Sequence, residues 1–83
     1  IGNSMLNAGI FSGDILIVDR SIRPVHGKIV IAALDGELTV KRLYHRGSII
    51  KLQPDNPEFN DIVITELMDS VIWGVVTNVI HHV

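Results

Sequence analysis

Lys28-Ile29-Val30-Ile31-Ala32-Ala33-Leu34-Asp35-Gly36-Glu37-Leu38-Thr39-Val40-Lys41-Arg42-Leu43-Tyr44 reads as a β-hairpin. An apolar run, an Asp-Gly break and a second strand-like run match two antiparallel strands joined by a two-residue turn of the primed type. Along the return strand successive side chains point to opposite faces, so Thr39, Lys41 and Leu43 share one face while Leu38, Val40 and Arg42 share the other. Each face therefore carries one cation. The alternation leaves open which is buried, but arginine stays charged under ordinary conditions whereas burial neutralises lysine. Only Lys41 suits the role of a base. An exposed edge-strand lysine that discourages aggregation is the commoner situation for such a residue.

Outward from the hairpin the pattern stays strand-like. On the N-terminal side, Ile15-Leu16-Ile17-Val18 is continuously apolar and predicts a core strand covered on both faces. Residues 20–27, with Pro24 and Gly27, break that run, and His26-Gly27 forms the turn into the next strand. On the C-terminal side, Arg46-Gly47 marks a turn, residues 48–52 a strand, and residues 53–61 a polar loop with Pro54 and Pro57, pinned to the core by Phe59. Residues 62–65 and 71–80 complete the series, and Trp73-Gly74 predicts a bulge or a close backbone approach. The expectation is a mostly β, compact, twisted domain of about six to seven short strands.

The chain has 83 residues, enough for one domain with a modest core, so contacts with a partner would add to stability. Hydrophobic residues make up 47% and aromatics 5%, so Ile, Val and Leu must build the core. Seven Lys and Arg stand against nine Asp and Glu, without a block of like charge, which gives direct nucleic-acid binding no support. With no cysteine, disulfides and thiol catalysis are excluded, and a reducing cytoplasm suits the composition. No apolar run approaches the roughly 20 residues of a membrane helix, so no membrane partner is expected.

Near the start, Gly2-Asn3-Ser4-Met5 opens a short helix-like turn over residues 4–8. Asn3 or Ser4 is able to cap it, and Gly9 is placed to end it in a left-handed conformation. Backbone N–H groups at such an end suit an oxyanion hole, and Met5 would pack into the core and orient the turn. Taken alone, Ser4 reads first as a helix cap. Its alternative role comes from Lys41. Full burial lowers an ammonium pKa by roughly 3–5 from an ordinary value of about 10.4, leaving an amine that is neutral near pH 7. Ser4 and Lys41 together then offer a hydroxyl nucleophile and an amine base, a dyad that needs neither histidine nor aspartate.

Five blocks follow in order: Ser4-Met5, Ser12-Gly13-Asp14-Ile15-Leu16-Ile17-Val18-Asp19, His26-Gly27-Lys28-Ile29-Val30-Ile31-Ala32, Thr39-Val40-Lys41-Arg42-Leu43 and Trp73-Gly74-Val75-Val76. In this order they resemble the UmuD branch of the LexA/UmuD family, across nearly the whole chain from Gly2 to about His81. The 37-residue interval from Ser4 to Lys41 is also like that family's. The resemblance implies a fold like that of LexA and the signal peptidases. It implies that residues 1–83 are one UmuD/LexA-type C-terminal peptidase domain, truncated on its N-terminal side. The expected activity is that of an SOS-response serine peptidase, with Ser4 and Lys41 catalytic and the backbone of Asn3 and Ser4 forming the oxyanion hole. Its substrate would be the protein's own N-terminal arm, cut after contact with a RecA filament on single-stranded DNA. The processed homodimer would then join a UmuC-like Y-family polymerase subunit in error-prone translesion synthesis. Exposed strands and residues 71–83 are the expected dimer contacts. Ala8-Gly9 is like the dipeptides the family cuts, but lies too close after Ser4 to fold back into the site. The alternatives are the autocleavage and dimerisation domain of a LexA-type or phage repressor, and a noncatalytic β-rich interaction module.

No metal or cofactor is expected. His26, His45, His81 and His82 lack zinc-site spacing, and adjacent histidines on a strand point to opposite faces. Asp14, Asp19, Asp35 and Asp55 lie beside Gly, Pro or strand ends, where Asp commonly bonds nearby backbone.

Overall fold

The computed structural model describes residues 3–83. After a 3₁₀ turn at Leu6–Ala8 come six strands: β1 (Ile15–Asp19), β2 (Ile29–Leu34), β3 (Glu37–Arg46), β4 (Ile49–Gln53), β5 (Ile62–Val63) and β6 (Ser70–Ile80). They form one open antiparallel sheet in the order β1-β6-β2-β3-β4-β5. The mostly β expectation is borne out.

Asp35 and Gly36 take φ of 47° and 86°, the two positive values that a primed turn requires. Leu34 consequently pairs with Glu37, and the register runs on to place Val30 opposite Lys41. Trp73 is the extra residue of a bulge, because Ile31 pairs with Gly74 while Ala32 pairs with Ile72. The glycine beside it is needed for space, since a Cβ on Gly74 would run into the side chain of Val18.

Register also gathers one buried cluster on a single face of the sheet, while Ile31 is buried on the other. Val30 pairs with Val75 and with Lys41, and Leu43 pairs with Leu52. Val30, Ala32, Leu43, Leu52 and Val75 form the buried cluster, with Ile22, Leu34, Ile50, Ile62, Ile64 and Ile72 packed against it. Lys41 lies on this face, which is why folding strips water from it.

Two expectations fail. β1 is an edge strand, and Ile15 and Ile17 are 47% and 43% exposed. A chain this short has little second layer to cover both faces of an outer strand. Phe59 is 42% exposed and does not pin its loop. Asn56 takes that place at 9% exposure, its Oδ1 accepting the Glu58 N–H at 3.0 Å.

Candidate active site

The Ser4 turn and β3 meet because the loop after β4 holds the turn from behind. Asn7 N–H donates to the Asp55 carbonyl at 2.8 Å, and the Asp55 N–H donates to Met5 Sδ at 3.3 Å. Asn56 Nδ2 reaches the Asn3 carbonyl at 2.8 Å. Met5, 3% exposed, anchors the turn in the interior as expected. On the other face of β3, Arg42 Nη2 binds Asp55 Oδ2 at 2.7 Å, so the strand that presents Lys41 is also tied to the loop that holds Ser4.

The turn differs from the expected capped helix. Met5 occupies the N-cap position of a three-residue 3₁₀ turn, with no side-chain capping bond, and Gly9 ends it at φ 79°. So short a turn has almost no macrodipole, and any anion stabilisation must come from individual N–H groups. Ser4 Oγ is thus not used as a cap. It lies 2.7 Å from Lys41 Nζ. Gly2 falls outside the described residues.

Lys41 is 8% exposed, and burial pushes its amine down from the ordinary value of 10.5. Its Nζ donates to Ser4 Oγ at 2.7 Å, to Thr39 Oγ1 at 2.7 Å and to the Val40 carbonyl at 3.1 Å. An ammonium has three N–H donors, so these three acceptors saturate it. When the proton leaves, Thr39 and Val40 take the two remaining N–H groups, and the lone pair is directed at Ser4. The sequence places Thr39 only on the same face as Lys41, and that shared face is the one available signal for its contact with Nζ.

Strand β3 pairs with β4 only from Arg42 onward, which leaves residues 37–41 without a neighbour on that side among the described residues. A cleft of about 230 Å³ opens here, reaching Ser4, Thr39 and Lys41, with Met5, Ile10, Phe11, Leu16, Ile31 and Leu38 among its apolar walls. Asp14 stands at the same cleft. Its carboxylate accepts the Phe11 N–H at 2.7 Å, which holds it below the usual carboxylate range, and it also meets His81 Nδ1 at 2.8 Å. Asp19 and Asp35 accept backbone N–H groups, as their turn positions suggest. Asp55 departs from that pattern, because its carboxylate is taken by Arg42. Among the described residues no cluster of His, Cys, Asp or Glu could hold a metal ion. Among the described residues no helix is long and apolar enough to cross a membrane.

Burying a cation is unfavourable, and the sign of its linkage to pH is fixed. The folded-state pKa of Lys41 lies below its unfolded value. Wild-type stability is therefore lowest below the folded pKa and rises with pH between the two values. Lys41→Met is expected to stabilise the fold by roughly 1 kcal/mol near neutrality. The gain should shrink as pH climbs toward 10.5, the ordinary lysine value. Urea denaturation at two pH values checks both sign and trend. A Met variant less stable than wild type at neutrality would contradict a buried charge.

Protein ImpA of Escherichia coli is 50% identical over 82 residues, which cover 96% of this chain and 54% of that protein. A LexA repressor of Syntrophotalea carbinolica is 44% identical over 81 residues, 98% of this chain and 40% of the repressor. LexA repressor 2 of Pseudomonas syringae pv. tomato is 45% identical over 74 residues, 89% of this chain and 37% of the repressor. The chain thus spans 37–54% of the length of these relatives. A model of Peptidase S24-like proteins matches residues 1–77. Residues, fold and relatives agree with the likeness to LexA and UmuD proteins first carried by the ordered blocks around Ser4 and Lys41, and the chain belongs to the Peptidase S24-like family.

Proposed function

We propose that residues 1–83 are the C-terminal peptidase domain of a longer protein, an SOS-response peptidase that cuts its own N-terminal arm. The observation that carries this reading is the 2.7 Å contact between Ser4 Oγ and a buried lysine whose two other bonds are already satisfied. With Lys41 neutral, Ser4 Oγ attacks the carbonyl carbon of the scissile bond and passes its proton to Nζ. The oxygen that gains charge is held by backbone N–H groups at Asn3 and Ser4. When the C–N bond breaks, the Lys41 ammonium returns that proton to the leaving amine. Water then attacks the acyl-serine, again with Lys41 as base, and frees the hydroxyl.

The processed form then acts as a cytoplasmic homodimer, the accessory subunit of a UmuC-like translesion polymerase. Likeness to ImpA supports this version, whereas the LexA relatives support an autocleavage and dimerisation domain of a repressor. In either dimer, β6 carries β1 along residues 75–80 of one edge and β2 along residues 70–75 of the other, so among the described residues each half of the strand offers a partner one edge without a neighbouring strand as well as its side chains. Sequence-specific DNA binding by the upstream segment separates the two versions.

The full-length protein, incubated with RecA-coated single-stranded DNA or at alkaline pH, is expected to yield two fragments. Mass spectrometry should locate the cut N-terminal to Ser4. A chain that stays intact under both conditions would remove the peptidase reading.

A further inference from the structure

We infer that Asn56 is a positioning residue of the oxyanion hole, acting through the peptide that joins Asn3 to Ser4; the inference rests on the peptidase reading of Ser4. Asn56 is a buried polar side chain, 9% exposed, in a loop flanked by Pro54 and Pro57. Both ends of its amide are committed. Oδ1 accepts the Glu58 N–H at 3.0 Å, which fixes the orientation of the group and leaves Nδ2 as donor to the Asn3 carbonyl at 2.8 Å. The Leu6 N–H reaches that same carbonyl at 3.3 Å, so the oxygen has two donors.

A carbonyl held in this way also holds the N–H on the far side of its peptide plane. The described residues contain no cis peptide, so the Asn3 carbonyl and the Ser4 N–H point in opposite directions. Asn56 binds the carbonyl from behind, and it is not among the residues that line the cleft, whereas Ser4 is. The Ser4 N–H therefore faces away from Asn56. Among the described residues no acceptor takes it, so it stays available to a charge that develops on substrate. Hydrogen bonds to the carbonyl also polarise the amide and strengthen its N–H as a donor. Thr39 and the Val40 carbonyl fix the direction of the base by bonding Nζ itself, whereas Asn56 fixes the oxyanion donor one peptide group away, without touching the reacting atoms.

The test uses the full-length protein. Asn56→Asp keeps shape and the acceptor for Glu58 but has no donor for Asn3, and Asn56→Ala removes the group without adding charge. Self-cleavage is followed across alkaline pH. Both variants are expected to lower the plateau rate by roughly 10–100-fold, somewhat less than outright loss of an oxyanion donor. In Asn56→Ala the pH midpoint set by Lys41 should not move. The Ser4 amide nitrogen should shift upfield in the NMR spectrum of Asn56→Asp, as its peptide loses polarisation. A wild-type plateau in Asn56→Asp, or a Ser4 amide that does not shift, would overturn the role. A midpoint that moves with the plateau in Asn56→Ala would also overturn it, since Asn56 would then act through Lys41 or through the fold at large. Should Asn56→Ala fail to fold, the plateau and amide shift of Asn56→Asp decide. Cleavage that survives Ser4→Ala would sink the peptidase reading itself, a result distinct from a silent Asn56.

Discussion

Ser4→Ala and Lys41→Ala in the full-length protein are each expected to lower self-cleavage by at least about 10³-fold, because nucleophile and base act as a unit. The double variant should be little worse than either single one. Wild-type cleavage should rise about tenfold per pH unit while Lys41 is mostly protonated, then flatten once its amine is neutral. Burial lowers the lysine pKa, so the midpoint must fall below 10.5. Lys41→Arg is as informative. It keeps the cation but does not deprotonate in this range, and should be inactive throughout. Rates are read from gel-resolved time courses. Residual cleavage in Lys41→Ala that still tracks a lysine-like midpoint would assign the base elsewhere.

The dyad shows what this sequence discloses and what it conceals. The hairpin was legible because Asp35-Gly36 has one favoured use between two apolar runs, and from it followed the shared face of Thr39, Lys41 and Leu43. The bulge at Trp73 was legible through its glycine. That Ser4 would meet Lys41 was not readable from local pattern, where the serine looked like a cap and the lysine like an edge charge. The order of the five blocks brought the two together. β1 misled because a continuous apolar run signals burial on both faces only when a second layer exists to supply it, and Ile15 and Ile17 face outward at the edge. Asn56 was missed for another reason. Its bond to the Asn3 carbonyl spans 53 positions and depends on one side chain in an irregular loop, so no periodicity records it.

The same limit applies to the leucines, and it can be tested. Leu38 and Leu52 are equally apolar and both lie on strands, yet Leu38 is 69% exposed while Leu52 is fully buried at 0%. Leu52 pairs with Leu43 on β3 and with Ile62 on β5, so it joins the outer strands to the central cluster. Leu52→Ala is expected to cost about 3 kcal/mol, from lost transfer energy plus the cavity left behind. In a domain this small that lowers the melting temperature by roughly 15 °C. Leu38→Ala should change stability by less than about 0.5 kcal/mol. Thermal melts of the two variants supply the comparison. Equal effects would mean that the core does not lie on the face argued for it. Leu52→Ala should also slow self-cleavage at temperatures where the protein remains folded, since β4 leads through Gln53 into the loop whose Asp55 and Asn56 hold the Ser4 turn. A destabilised variant that cleaved at the wild-type rate would show that the turn holds its position without that strand.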